Sequence, residues 1–162
     1  AQILLTKDVL ESPIRRKAAK NTFNRLLDMH CIPIVNENDT VATEEIEFGD
    51  NDTLAAKVAV SVKAELLVLL SDIDGLFTAD PRKDSLAKLI SEVHEINSNI
   101  LALAGDAGSS LGTGGMQTKL NAAKIATSAG CDMIISNGAC PENLYSIVNG
   151  ESVGTRFFAK DK

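Results

Sequence analysis

The run "ELLVLLSD", from Glu65 to Asp72, constrains the fold of this chain more than any other stretch. It contains five consecutive apolar residues, Leu66 to Leu70, so neither side of the strand is suited to face water. Such a run is typical of a parallel strand that is covered on both faces. Ile32 to Val35 and Met133 to Ile135 predict two further buried strands.

Helical stretches alternate with these strands. "ESPIRRKAAKNTFNRLLDMH" predicts a helix that Ser12 caps and that has Pro13 in its first turn. "NDTLAAKVAVSVKA" predicts a second helix, apolar nearly all round and therefore buried. The remaining predictions are a hairpin in "VATEEIEFGD", strands in "AKLISEV" and "GTRFFAK", and helices in "INSNILALAG", in residues 115–129 and in "PENLYSIVNG". This alternation favours an α/β layered fold with a mostly parallel sheet.

Length, charge and cysteine content limit the class of protein. The chain has 162 residues, of which 44% are hydrophobic, as expected for one globular domain. A net charge of −6 argues against nucleic acid or an anionic membrane as the main partner. No apolar run approaches the length of a membrane span. Three widely spaced cysteines without a CxxC motif indicate free thiols and a cytoplasmic location.

Small polar or acidic residues follow each predicted buried strand. The three segments are "NENDTVA", "SDIDG" and "SNGA". In parallel α/β sheets, ligands bind outside the carboxyl ends of the strands. Any one of these segments could be an ordinary polar loop, but three at the same predicted edge favour a ligand crevice.

The segment "LGTGGMQTKLNAA" joins a glycine-rich turn to a predicted helix. It matches neither GxxxxGK[ST] nor GxGxxG. Gly114 and Gly115 would still let the backbone approach a ligand closely, and the free N–H groups at a helix start favour an anion. Lys119 lies about one turn into the helix, within reach of the same place. The segment therefore predicts a phosphate site, with a structural loop and a solvated lysine as the alternative.

Four carboxylates lie near the predicted hairpin: Glu37, Asp39, Asp50 and Asp52. They could orient lysines, hold Mg²⁺ through water, or bind an ammonium group. The alternative is a solvated turn, in which Asn51 and Asp52 cap the following helix. Neither HExxH nor GxSxG occurs, and His94 is expected to be a surface or edge residue rather than a catalytic base.

Four motifs together resemble the glutamate 5-kinases of the amino acid kinase family: "PIVNENDTVA", "FGDND", "LLSDIDGLFTADPR" and "GTGGMQTKLNAA". Their order and spacing agree with that family over essentially the whole chain. The resemblance implies a three-layer αβα sandwich around a mainly parallel sheet. It also implies ATP-dependent phosphorylation of the γ-carboxylate of L-glutamate, with Mg²⁺, as the first step of proline biosynthesis.

The resemblance assigns roles to individual residues. Lys119 and Asp52 are implied to be catalytic, with Asp52 orienting the catalytic lysines. Glutamate is implied to bind at the "NEND" and "GDND" motifs, through Asn36, Asn38, Asp39 and Asn51. The implied ATP-binding residues are Ser71, Asp72, Phe77, Asp80, Thr113, Gly114, Gly115, Met116, Gln117, Thr118 and Lys119. Ser71 is a departure, since the family usually has threonine there.

The resemblance also implies that about a hundred residues at the family's N-terminus are missing, including a second phosphate-contacting lysine and half of the glutamate pocket. The chain would then be the C-terminal portion of a single amino acid kinase domain, residues 1–162, and inactive by itself. The family further implies a homo-oligomer and feedback inhibition by proline. Two alternatives stay open: another amino acid kinase, such as an acetylglutamate kinase, or a non-catalytic module that binds an amino acid or a nucleotide.

Overall fold

The computed structural model describes residues 1–38, 51–105 and 115–160. The strands are β1 (Gln2–Leu5), β2 (Ile34–Glu37), β3 (Leu66–Ser71), β4 (Glu92–Val93), β5 (Asp132–Asn137) and β6 (Thr155–Phe157). The helices are α1 (Lys7–Glu11), α2 (Pro13–Asp28), α3 (Asn51–Val62), α4 (Ser98–Gly105), α5 (Met116–Ser128) and α6 (Asn143–Val148). Strands and helices alternate along most of the chain, as the sequence predicts.

The strands of the described residues form two separate sheets. Four strands have the order β3-β5-β6-β4, and β1 pairs with β2 in a second, two-stranded sheet. The pairings β1–β2, β3–β5 and β4–β6 are parallel, whereas β5–β6 is antiparallel. Helices packed on a mostly parallel sheet confirm the predicted α/β fold class.

Strand β5 is the buried centre of the larger sheet. Met133, Ile134 and Ile135 are each at most 2% exposed, which confirms the buried strand predicted there. The core around β5 is mainly aliphatic and rich in alanine, with small side chains that let α3 and α5 pack closely. Its alanines are Ala56, Ala59, Ala104, Ala122, Ala123 and Ala126.

Burial of the other two predicted strands is incomplete. The prediction of a buried strand at Ile32 to Val35 is wrong in its bounds and in its burial. Strand β2 begins at Ile34, which is 69% exposed, and Ile32 is 79% exposed. In β3, Leu69 is buried but Leu70 is 44% exposed. Side chains of a strand point to the two faces of its sheet, so these residues are exposed because the described residues do not cover one face of β2 or the carboxyl end of β3.

Two local predictions also need correction. "AKLISEV" is not a continuous strand: only Glu92–Val93 pairs in the sheet, and Leu89 forms an isolated bridge with Phe77. The N-cap of α2 is Ser12, but its side chain makes no capping hydrogen bond. Strand β1, which is not predicted from the sequence, pairs in parallel with β2. The predicted hairpin in residues 41–50 lies outside the described residues.

A tight turn before β6 fixes the C-terminal strand to the rest of the sheet. Gly154 has φ +71°, and a Cβ built there would collide with the carbonyl oxygen of Ile135. Thr155 follows, with its side chain fully buried. Its hydroxyl accepts a 2.8 Å hydrogen bond from the Leu76 N–H and donates a 2.6 Å bond to the Ile90 carbonyl. Thr155 therefore joins β6 to both ends of the loop after β3.

No helix among the described residues is both long enough and apolar enough to cross a membrane.

Candidate active site

The N-terminal turns of α3 and α5 meet at one carboxylate. Asp52, in the first turn of α3, places Oδ2 3.1 Å from the Nζ of Lys119. The hydroxyl of Thr118 lies 2.9 Å from the same oxygen. The structure thus brings together Asp52 and Lys119, which are 67 positions apart in sequence and which the family resemblance paired.

This ion pair is largely removed from water. The Lys119 side chain is 9% exposed and that of Asp52 is 18% exposed. A lysine at such a depth requires a nearby anion or strong hydrogen bonding, because desolvation disfavours its charge. Asp52 supplies that anion and also fixes the direction of a long, flexible side chain. The arrangement presents a positioned ammonium group beside the start of α5.

The start of α5 has the features of an anion site. Gly115 is its N-cap, in an extended conformation and without a side-chain capping hydrogen bond. The first N–H groups of a helix have no partner within the helix, and its dipole is positive at this end. Met116 and Gln117 supply the next two backbone N–H groups. Together with Lys119, this helix start can stabilise the negative charge of a phosphate.

A cavity of about 460 Å³ lies between the two sheets, next to α3. Asn36 at β2 and Asn51 at α3 both line it, so the structure brings two of the predicted glutamate-binding residues to one place. The other lining residues are apolar and comprise Pro33, Val35, Leu54, Ala55, Val58, Ala59 and Leu67. Asn38, a third predicted residue, is half-buried, and its backbone N–H bonds to the Leu5 carbonyl at 2.8 Å.

Polar side chains meet at the carboxyl ends of β3 and β5, as predicted from the segments after each strand. The hydroxyl of Ser71 donates to Oδ1 of Asp72 at 3.0 Å. The amide of Asn137 donates to Oδ1 of Asp74 at 2.8 Å and so ties the two strand ends together. Asn137 belongs to the polar segment "SNGA", but nothing in the sequence distinguishes it from the other residues of that segment.

Phe77 and Asp80, both predicted ATP-binding residues, lie in the loop after β3. Phe77 forms the backbone bridge with Leu89. Asp80 accepts a 3.0 Å hydrogen bond from the Arg82 N–H, and its carboxylate lies 3.8 Å from Lys83. These contacts are local to the loop, and none of them joins Phe77 or Asp80 to Lys119.

Three predicted residues lie outside the described residues. They are Asp39 of "NEND" and Thr113 and Gly114 of the glycine-rich segment. The roles assigned to them stay predictions.

His94 is a surface residue, as expected. Its side chain is 71% exposed, and its ring stacks on Phe158 with 4.5 Å between ring centroids. Its Nε2 lies 3.4 Å from Oε2 of Glu92. These contacts place His94 at the β4 edge of the sheet.

The curated proteins that this chain resembles include glutamate 5-kinases. Glutamate 5-kinases of Carboxydothermus hydrogenoformans and Clostridium tetani are 59% and 56% identical to it over 162 and 158 residues. These alignments cover 100% and 98% of this chain, but only 43% and 59% of the relatives. The chain therefore spans about half the length of the curated relatives that it matches.

Solved structures that are less similar in sequence share the fold of this chain. UMP kinase from Bacillus anthracis has a TM-score of 0.60 at 19% identity, over 90% of this chain and 52% of that one. N-acetylglutamate synthase from Neisseria gonorrhoeae has a TM-score of 0.63 at 24% identity, over 86% of this chain and 30% of that one. The model of the amino acid kinase family matches residues 1–137. This chain belongs to the amino acid kinase family.

Proposed function

We propose that the intact protein transfers the γ-phosphoryl group of ATP to the γ-carboxylate of L-glutamate, and that residues 1–162 are part of one amino acid kinase domain. The product is L-glutamyl 5-phosphate, for proline biosynthesis. The observation that carries this proposal is the buried pair of Asp52 and Lys119 at the start of α5. The high identity to glutamate 5-kinases supports glutamate as the acceptor.

Phosphoryl transfer needs positioning and charge stabilisation from the protein, because the transition state is loose and its charge is spread over oxygens. A glutamate carboxylate oxygen forms a bond to the γ-phosphorus as the bond between that phosphorus and the β–γ bridging oxygen breaks. ADP leaves with the negative charge that develops. Lys119 stabilises that charge, and the N–H groups at the start of α5 hold the phosphates.

The amino-acid end of glutamate is proposed to bind at the cavity beside α3. Asn36 and Asn51 line this cavity and can form hydrogen bonds with the ammonium and carboxylate groups. Asp39 and Asn38 belong to the same proposed set. The γ-carboxylate is already ionised at neutral pH, so the reaction needs no general base.

Mg²⁺ is proposed to reach the site on the phosphates of ATP, where it neutralises charge on the transferred group. Within the described ranges there is no cluster of three or more metal-ligating side chains. This fits a cation that is held mainly by phosphate oxygens and water. Asp72 and Asp74 are exposed carboxylates in the loop after β3. Inhibition by proline and assembly into oligomers stay predictions from the resemblance.

An acceptor panel tests the proposed reaction. The intact protein is incubated with Mg²⁺-ATP and with L-glutamate, N-acetyl-L-glutamate or L-aspartate, and ADP release and hydroxylamine-trapped acyl phosphate are measured. We expect turnover with L-glutamate far above that with the other two acceptors. Faster turnover with N-acetylglutamate would favour the acetylglutamate kinase alternative, and ATP binding without turnover would favour the non-catalytic module.

Substitution of the lysine tests the site itself. Lys119→Ala should lower kcat by roughly 10²–10³, as for loss of one preorganised charge donor. Lys124→Ala is the matched control, because Lys124 is on the same helix but exposed. An unchanged kcat for Lys119→Ala would remove this residue from the mechanism.

A further inference from the structure

The hydroxyl of Thr118 has two acceptors within reach but only one proton to donate. Its Oγ1 lies 2.9 Å from Oδ2 of Asp52 and 2.7 Å from the carbonyl oxygen of Gly115. Both atoms can only accept, so the hydroxyl can bond to one of them at a time. The Gly115 carbonyl also faces the N–H groups of Thr118 and Lys119, at 3.1 and 3.4 Å. It is therefore satisfied without the hydroxyl.

The Asp52 carboxylate is the stronger acceptor for this proton. Hydrogen bonds to an ionised carboxylate are about twice as strong as those between neutral groups. Asp52 is also mostly shielded from water, at 18% exposure, so a lost donor is not freely replaced by solvent. The Thr118 proton is accordingly assigned to Asp52.

Two consecutive residues of α5 thus converge on the same oxygen. Thr118 and Lys119 are separated by about 100° around the helix, so they approach Oδ2 from different directions. A carboxylate held by one flexible lysine can rotate about its side-chain torsions. With a second donor from a short, β-branched side chain, its orientation is fixed relative to the backbone of α5.

We propose that Thr118 is a positioning residue: its hydroxyl holds the Asp52 carboxylate so that Lys119 points at the transferred phosphoryl group. This differs from the sequence-based assignment of Thr118 to direct ATP contact. The proposal rests on the proposed function, since it assumes that Lys119 acts on the phosphoryl group. It places the effect of Thr118 on the chemical step rather than on nucleotide affinity.

Steady-state kinetics and nucleotide binding of Thr118 variants test the proposal in the intact protein. Thr118→Val removes the hydroxyl at nearly constant shape. We expect kcat to fall about 10- to 100-fold, the effect of losing one hydrogen bond to a charged group. The ATP KM, and the Kd of a non-hydrolysable ATP analogue, should change less than about threefold. Thr118→Ser should restore kcat to within about fivefold of the original.

Thr127→Val is the matched control, because it makes the same change in the same helix. The Thr127 hydroxyl donates to the Ala123 carbonyl at 2.8 Å, near the C-terminal end of α5. Asp52 instead contacts the first turn of that helix. The kcat of the Thr127→Val variant should equal that of the original protein. If Thr118→Val does not fold, Thr118→Ala supplies the same comparison.

A double-mutant cycle shows whether Thr118 acts through Asp52. If it does, adding Thr118→Val to Asp52→Ala should lower kcat by less than about twofold further. A fully additive loss would overturn the proposal, as would a raised ATP Kd with kcat intact. The Lys119→Ala variant distinguishes failure of the Thr118 proposal from failure of the proposed function. If Lys119→Ala lowers kcat while Thr118→Val does not, only the role of Thr118 is wrong. If Lys119→Ala has no effect, the proposed function of the site fails.

Discussion

Replacing Thr155 by valine should destabilise the chain, because its hydroxyl makes two hydrogen bonds at a fully buried position. Valine has nearly the same shape but neither donates nor accepts. The Leu76 N–H, at a residue only 1% exposed, would lose its acceptor, and the Ile90 carbonyl would lose a donor. An unsatisfied buried polar group costs about 1–3 kcal/mol, so we expect a loss of about 2–4 kcal/mol.

Urea unfolding followed by circular dichroism measures this loss, and thermal unfolding gives a second readout. For a chain of this size, the melting temperature should fall by roughly 5–12 °C. Thr155→Ser keeps the hydroxyl and removes one methyl group, so it should cost only about 1 kcal/mol.

The exposed Thr78 provides a second control. Its Oγ1 accepts a 3.0 Å hydrogen bond from the Lys88 N–H in the same loop, but water can replace it there. Thr78→Val should therefore change the free energy of unfolding by less than about 0.5 kcal/mol. If Thr155→Val costs no more than Thr78→Val, or no more than Thr155→Ser, the two buried hydrogen bonds do not hold β6 as argued.

Three further outcomes are expected. Asn51→Ala should chiefly raise the glutamate KM of the intact protein, and a change confined to the ATP KM would show that the cavity beside α3 is not the glutamate site. Gly154→Ala should destabilise the fold by about 4 kcal/mol or more in urea unfolding, since its φ of +71° and the Ile135 carbonyl leave no room for a Cβ; unchanged stability would contradict that close approach. Burial, and then the neighbouring Asp132 carboxylate, raise the pKa of the Cys131 thiol, so less of it is thiolate at pH 8. Iodoacetamide should then alkylate the exposed Cys140 at least about 10-fold faster, as measured by peptide mass spectrometry, and equal rates would refute the burial argument.

Local patterns in the sequence predicted most of the helices and the central strand. The buried run of β5 and the α2 and α5 helices depend on nearby residues, so periodicity and apolar runs suffice to find them. The exposure of Ile34 and Leu70 could not be predicted in this way. It depends on what covers the faces of β2 and β3, and that is a property of the tertiary structure.

The candidate site was predictable only in part for the same reason. The polar segments after β3 and β5 indicated a ligand edge, and the helix start at Gly115 indicated an anion site. Nothing in the spacing of Asp52 and Lys119 predicts their contact, which came from the family resemblance alone. The contact of the Thr118 hydroxyl with Asp52 follows from the packing of α3 against α5, and no pattern in the sequence predicts it.

The position of β6 inside the larger sheet has a consequence for synthesis of the chain. β6 lies between β5 and β4, yet it follows β4 by about sixty residues along the chain. At roughly 5–20 residues per second, a ribosome needs about 3–12 s to make that stretch. β4 lacks its partner throughout this interval, and β5 lacks its partner on the β6 side from the time that β5 is made; unpaired strand edges promote aggregation. Nascent chains halted between β5 and β6 should therefore be the ones that chaperones bind most.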